Sequence, residues 1–282
     1  MQIILCSDLH LGGGGDGRWH NRLLYDRAAT IARTTVAMVN QLAPDAVLIL
    51  GDVTENGRPE ALHQAHALLA ELAPPWYVVP GNHDRASLRD GSFDAVFGPH
   101  ALPPSLSLPA AHLVSVREQG QVPPEVDAYW LDEQWATQAL DGLAVADPRL
   151  PLLVISHFPL LSEAAWALAQ GHRDAGYLNG GSAWVARLRQ AWSGPRPLVL
   201  CGHSHWHRVS EGPDARQVTT AALIEYPMEV RRVTLRGLQV CVETLPTGAP
   251  AEARASIDTA PTVAGEAADR QAQFNLAAST GR

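Results

Sequence analysis

Apolar residues in the first two thirds of this chain gather into short unbroken runs. Ile3-Ile-Leu-Cys6, Ala46-Val-Leu-Ile-Leu50, Trp76-Tyr-Val-Val79, Leu152-Leu-Val-Ile155 and Leu198-Val-Leu-Cys201 are the clearest. Runs of that length, bounded by turn residues, read as strands buried on both faces, as in a parallel sheet. Between the first three, apolar positions recur at helical spacing. From Leu24 to Leu42 they include Ile31, Thr35, Val36, Val39 and Leu42, with Pro44 closing the segment, and Pro59 opens a second helix to Leu72. Strand, helix, strand, helix, strand predicts right-handed crossovers and a largely parallel sheet.

The pattern then loosens. Phe93 to Phe97 predicts a short helix, Pro103-Pro104 and Pro123-Pro124 mark loops, and Leu113 to Val116 predicts a strand. Leu131 to Leu143 predicts a helix burying Leu131, Trp135, Leu140 and Leu143, with Trp130 and Trp135 serving as packing. Residues 162–170 and 183–192 are helical in pattern, split by Gly180-Gly181. Gln217 to Ile224, Val230 to Leu235 and Leu238 to Leu245 alternate, which predicts antiparallel strands and a second sheet face to face with the first. Past Pro246 few large apolar residues remain. The expectation is a catalytic domain over 1–245 and a tail over 246–282, disordered or weakly helical near Glu266 to Ala278.

Composition narrows the function. The 282 residues are 46% hydrophobic and 18% charged, a globular balance, with a net charge of −8. Such an acidic chain lacks the footprint of a protein that grips long nucleic acid. Cys6, Cys201 and Cys241 are unpaired in spacing, which suits buried reduced thiols rather than a zinc-thiolate site. No leader and no membrane span are expected, since no basic and apolar leader pattern precedes the first strand and no apolar run nears the roughly 20 residues of a span. A cytoplasmic protein without a membrane partner is expected.

The chemistry sits where the strands stop. Asp8 and His10 follow the first, Asp52 the second, Asn82-His83-Asp84 the third, His157 the fourth, and His203 and His205 the fifth. Carboxylate, imidazole and amide oxygen are donors to hard and borderline cations. The carboxyl ends of parallel strands are also where an α/β sheet collects ligands. Asp8, His10, Asp52, Asn82, His157, His203 and His205 are too many for one tetrahedral ion and suit two ions sharing a bridge. Asp52, with two oxygens and a central strand, is the natural bridge. Two ions roughly 3.5–4 Å apart would lower the pKa of a shared hydroxide for in-line attack on phosphorus. Mn, Fe, Zn and Co all accept such donors.

His83, outside that set, suits a general acid near pH 7 or a donor to a phosphate oxygen, while Asp84 either orients His83 or supports the ligands from behind. Arg18, His20 and Arg22, after the glycine run at 12–15, are candidate substrate contacts. That run lacks the Lys and Ser/Thr of a P-loop. No Ser or Cys stands in a nucleophile elbow, which argues against a covalent enzyme intermediate. His63 and His66, three apart on a helix, read as a solvated edge. His207 reads as lying behind the ligands or in solvent.

In order, Asp8-x-His10, Gly51-Asp52, Gly81-Asn-His-Asp84, His157 and Gly202-His-x-His205 resemble the calcineurin-like metallophosphoesterase superfamily, over residues 8 to 205. The resemblance implies an α/β fold, a four-layer αββα sandwich with two central mixed sheets. It implies one ion held by Asp8, His10, Asp52 and His205 and another by Asp52, Asn82, His157 and His203, with His83 as the catalytic histidine. Ser7-Asp-Leu-His-Leu11, Gly51-Asp-Val-Thr-Glu-Asn-Gly-Arg-Pro59 and Val79-Pro-Gly-Asn-His-Asp-Arg85 further resemble the bacterial class III cyclic-nucleotide phosphodiesterases. The expected activity is hydrolysis of a small phosphodiester, a cyclic nucleotide first. A phosphomonoesterase is the alternative, ahead of a catalytically silent binding module of the same fold, and a homodimer is left open.

Overall fold

The protein, as a computed structural model describing residues 1–120, 129–172 and 176–277, places two six-stranded sheets between two layers of helices. The first half runs β1 (Gln2–Cys6), the hairpin β2 (Gly17–Arg18) and β3 (Arg22–Leu23), α1 (Ala28–Leu42), β4 (Ala46–Ile49), α2 (Pro59–Leu69) and β5 (Trp76–Val78). It continues through α3 (Arg85–Asp90), α4 (Ser92–Phe97), β6 (Ser105–Leu108) and β7 (Ala111–Ser115). The second half runs α5 (Glu133–Asp141), β8 (Leu152–Ile155), α6 (Ala164–Ala169), α7 (Gly181–Ala191), β9 (Leu198–Cys201), β10 (Arg208–Glu211) and β11 (Arg216–Thr219). Then follow β12 (Glu229–Arg236), β13 (Gln239–Pro246), α8 (Pro250–Ser256), α9 (Ala267–Arg270) and β14 (Gln271–Asn275).

One sheet has the order β14-β13-β12-β1-β4-β5 and the other β10-β11-β9-β8-β7-β6. Parallel cores, β1-β4-β5 and β11-β9-β8-β7, are flanked by antiparallel strands, so both sheets are mixed. Alternate residues of each apolar run serve different cores. Ile3 and Leu5 face the other sheet, against Leu153, Ile155, Leu198 and Leu200. Ile4 and Cys6 face the outer helices with Ile31, Val39 and Leu62. On the far side Val154 and Val199 meet Trp184 and Leu188. Burial on both faces is why the runs are unbroken. Each such side chain contributes about 1.5–3 kcal/mol. The layers are α, β, β, α, as expected.

Several local expectations change. Of Gln217 to Ile224 only the stretch to Thr219 is strand, and β11 runs parallel to β9 while antiparallel to β10. The rest crosses to the first sheet, where Leu223 and Ile224 donate to the carbonyls of Ser7 and Asp8. The helix expected over Leu131 to Leu143 shortens to α5, whose buried residues are Ala136 and Ala139. Trp135 instead lies under the Arg117 guanidinium at 3.7 Å, and Trp130 is 50% exposed rather than packed. The Pro123-Pro124 loop lies outside the described residues.

The largest correction concerns the segment after Pro246. Disorder was expected, yet α8, α9 and β14 form, and β14 pairs antiparallel with β13 from Gln239↔Asn275 to Glu243↔Gln271. Only Ala267–Arg270 of the helix expected near Glu266 is helical, the next residues are strand, and Ala278 lies outside the described residues. Backbone pairing needs no large side chains, and Val263, Phe274 and Leu276 suffice to anchor the segment in buried sites. Among the described residues no helix is long and apolar enough to cross a membrane.

Candidate metal centre

The pairing of β1 with β4 continues past both strand ends. Asp8 N–H donates to Gly51 O at 3.1 Å and His10 N–H to Asp52 O at 2.9 Å, holding two turns side by side. In these turns, and in the one after β9, the backbone enters the left-handed region. Asp8, His10, Asp52, His203 and His205 have φ of 57°, 49°, 46°, 66° and 58°. Each such residue costs on the order of 1–2 kcal/mol, and the strain persists only where the surroundings over-determine it. Here it gathers five side chains at one centre, four of which, His10, Asp52, His203 and His205, line the cavity above it. Close approach explains two of the glycines. A Cβ at Gly81 would lie 2.1 Å from Asp52 Oδ1, and one at Gly202 would lie 1.8 Å from Ser7 Oγ.

Among the described residues donor atoms gather in three groups, two of them made wholly of the proposed ligands and the third joining His10 to Glu55 and His83. Asp8, His10 and His205 each bring a donor atom within 4.8 Å of the others, and so do Asp52, His157 and His203. His205 Nε2 is 3.3 Å from Asp8 Oδ1. Asp52 Oδ2 lies 3.8 Å from His10 Nε2 and 3.3 Å from His157 Nε2, so one carboxylate oxygen faces both groups. Asn82 Oδ1, 3.1 Å from His157 Nε2, joins the second. All seven side chains proposed from the sequence are therefore brought together.

They fit a pair of cations. Asp8 Oδ1 and His10 Nε2 are buried without a hydrogen-bond partner among the described residues, a state buried polar atoms rarely adopt unless something else satisfies them. The charges agree. Burial opposes ionisation of Asp8, yet His205 holds its carboxyl down at about 2, and His157 draws Asp52 well below the usual carboxylate range. Burial likewise opposes imidazolium, yet Asp8 lifts His205 to about 10 and Asp52 lifts His157 to about 9. These groups lean on one another for neutralisation, so the centre demands positive charge, which a divalent ion supplies.

Two carboxylates that the sequence reasoning did not single out stand behind the imidazoles. Glu55 Oε2 is 2.6 Å from His10 Nδ1 and Glu225 Oε1 is 2.6 Å from His205 Nδ1. Bonds of this kind fix the tautomer that leaves Nε2 facing a metal. His157 does the same through backbone, donating from Nδ1 to Leu50 O at 2.7 Å. Glu55 had a signal, since it lies three residues past Asp52 in the same loop. Glu225 had only its oddity as an acid closing the apolar stretch Ala221-Ala-Leu-Ile224.

The remaining candidates separate. His83 N–H donates to Asp52 Oδ1 at 2.8 Å, and its Nδ1 donates to Glu55 O at 2.9 Å. Asp84, fully buried, accepts from the N–H groups of Val53, Thr54 and Gly81 and from Thr54 Oγ1. These bonds brace the loops after β4 and β5. Arg18 lines the cavity and pairs with Asp258. Arg22 lines the adjoining surface depression, which shares Arg18 and Leu23 with the cavity, and His20 is buried with Nε2 donating to Ser204 O at 3.1 Å, so neither lines the cavity itself. The His20 ring packs against His172 and Trp206, which stack on each other. His207 is buried too and accepts from Arg231 Nε at 3.0 Å, while His66 packs beside Trp76 and Phe97. The cavity over the centre holds about 320 Å³, and Trp19, Tyr25 and Tyr129 share its wall with Arg18.

Known proteins bear on this geometry. The chain is 30% identical over 172 residues to a cAMP/cGMP dual specificity phosphodiesterase of Mycobacterium tuberculosis, covering 53% of this chain and 50% of that one. It is 46% identical over 88 residues to a glycerophosphodiester phosphodiesterase of Enterobacter lignolyticus, 30% of each chain. In these matches the chain spans half or less of the relatives' length. A dimetal phosphatase from Danio rerio shares the fold over 98% of this chain and 99% of that one, with a TM-score of 0.68 at 14% identity. Residues 1–207, which carry every strand-end ligand, match the calcineurin-like phosphoesterase family, and the chain belongs to it.

Proposed function

We propose that the protein is a dinuclear metal-dependent phosphodiesterase acting on a small phosphodiester, with cyclic nucleotides the first class to test. One observation carries this reading: Asp52 Oδ2 faces both His10 and His157, so a single carboxylate joins two donor groups under one cavity. Relatives named as cyclic-nucleotide and glycerophosphodiester phosphodiesterases support diester rather than monoester chemistry.

Bound divalent ions would supply charge neutralisation at the phosphoryl oxygens and an activated water-derived nucleophile. Asp8, His10, Asp52 and His205 would hold one and Asp52, Asn82, His157 and His203 the other. His83 holds the proton for the leaving oxygen. Its Nδ1 is committed to Glu55 O, which leaves Nε2 for the cavity. Burial works against a protonated His83 while Asp52 and Glu55 raise its pKa above the ordinary value; bound cations would offset the pull of Asp52 and leave that of Glu55. Arg18 at the rim offers a guanidinium to a phosphate oxygen once Asp258 yields it.

The test is a rate comparison on Mn²⁺-loaded protein between bis-p-nitrophenyl phosphate and p-nitrophenyl phosphate, beside 2′,3′- and 3′,5′-cyclic nucleotides. Diester turnover should dominate, and Asp52→Asn should lower it by several orders of magnitude, since it removes the bridge. A faster monoester rate would make the protein a phosphomonoesterase. Intact activity in Asp52→Asn would sink the dinuclear centre.

A further inference from the structure

His205 is held by an acid that is itself held from the far end of the chain. Glu225 is fully buried, with Oε1 2.6 Å from His205 Nδ1. Its Oε2 accepts the backbone N–H of Asn21 at 2.5 Å. Asn21, fully buried in the loop between β2 and β3, uses its side chain on the C-terminal segment. Asp258 N–H donates to Asn21 Oδ1 at 3.0 Å, and Asn21 Nδ2 donates to Ala260 O at 3.1 Å.

Neighbouring contacts repeat the stitch. Thr259 Oγ1 donates to His20 O at 2.9 Å, and Ser256 Oγ donates to Arg22 O at 2.7 Å while accepting from Tyr226 N–H. His207 N–H donates to Val263 O at 2.8 Å. Residues 256–263 thus bind both the rim loop and the loop that carries Glu225. A buried carboxylate with one oxygen on a histidine and the other on a backbone amide has little freedom to turn.

We infer that Glu225 is the positioning residue for His205, and that the C-terminal strap 256–263 holds it in register through Asn21. Integrity of the strap then governs cation affinity at the site formed by Asp8, His10 and His205. This rests on the proposed dinuclear centre, and it assigns work to a part of the chain beyond the residues matched to the family. Loss of a carboxylate behind a ligating histidine typically costs 10–100-fold in metal affinity. Glu225→Gln keeps the shape and removes the charge.

The experiment is calorimetric titration of the metal-stripped 282-residue chain with Mn²⁺, with thermal unfolding recorded alongside. Wild type should bind two ions. In Glu225→Gln one site should weaken 10–100-fold and the other stay within about twofold. Asn21→Ala should weaken that same site on the order of threefold, and Glu225→Asp should fall between wild type and Gln. A Glu225→Gln isotherm matching wild type, or equal weakening of both sites, would overturn the positioning role. An unchanged Asn21→Ala isotherm would overturn the strap. Should Glu225→Gln not fold, Glu225→Asp and Asn21→Ala decide by the same criteria. Wild type binding fewer than two ions would instead count against the dinuclear centre itself.

Discussion

His83 differs from the other histidines of the cavity in what it faces. His10 and His205 turn Nδ1 to carboxylates, and His157 turns Nδ1 to a carbonyl with Nε2 toward Asp52. His83 stands at the edge, its side chain 35% exposed, with its backbone N–H on Asp52 and its Nδ1 on Glu55 O. Removing it should leave the ions in place and remove only proton delivery. His83→Ala is therefore expected to retain two Mn²⁺ per chain while kcat falls about 10²–10⁴-fold on a diester with a poor leaving group. With p-nitrophenolate, which leaves without a proton, the loss should be much smaller. Equal losses on both substrates would assign His83 to phosphate binding instead. The same contrast shows why the site was partly readable from sequence. Each proposed ligand follows an apolar strand run, so position alone marks it. Asn21 follows no such run and Glu225 only the short Ala221-Ala-Leu-Ile224, and their partners lie more than 200 and 20 residues away.

At the scale of elements, strands buried on both faces announced themselves, and polar edge strands did not. β6, β10 and β14 read Ser-Leu-Ser-Leu, Arg-Val-Ser-Glu and Gln-Ala-Gln-Phe-Asn, each half water-facing and held by backbone pairing. The error over the tail is of this kind, because composition counts side chains and overlooks a ladder completed by a neighbour already in place. β14 nonetheless delivers apolar weight to the space between the sheets. Phe274 packs there, and Leu276, fully buried, accepts at its carbonyl from Arg196 N–H at 2.8 Å. Leu276→Ala should thus destabilise the fold by about 2–5 kcal/mol, as a core truncation does, lowering the urea midpoint with little change in slope. A dangling tail would give no measurable shift.

For the whole molecule the deciding quantity is charge gathered in the interior. The chain carries a net −8, and a share of that acidity is concentrated around one cavity: Asp8, Asp52 and Glu225 are buried, and Glu55 is partly so. Burial and the neighbouring Asp52 push the Asp8 carboxyl up while His205 and His157 hold it down, and His157, His83 and His10 draw Asp52 down against burial, so imidazolium balances these two carboxylates where no cation does. The native state alone assembles both donor groups, so ions bind it in preference to the unfolded chain and stabilise it by mass action. At a free Mn²⁺ concentration 100 times the dissociation constant, one site contributes about 2.7 kcal/mol, equivalent to roughly 5 °C or more in Tm for a chain of this size. Stripping the protein with a chelator should lower Tm by at least that amount, and Mn²⁺ added back should restore it, saturating at two equivalents. In Asp52→Asn the recovery should be smaller and lack a two-equivalent endpoint, because the oxygen facing both groups has lost its charge. A Tm indifferent to chelation in the wild type would mean that imidazolium alone balances the buried carboxylates.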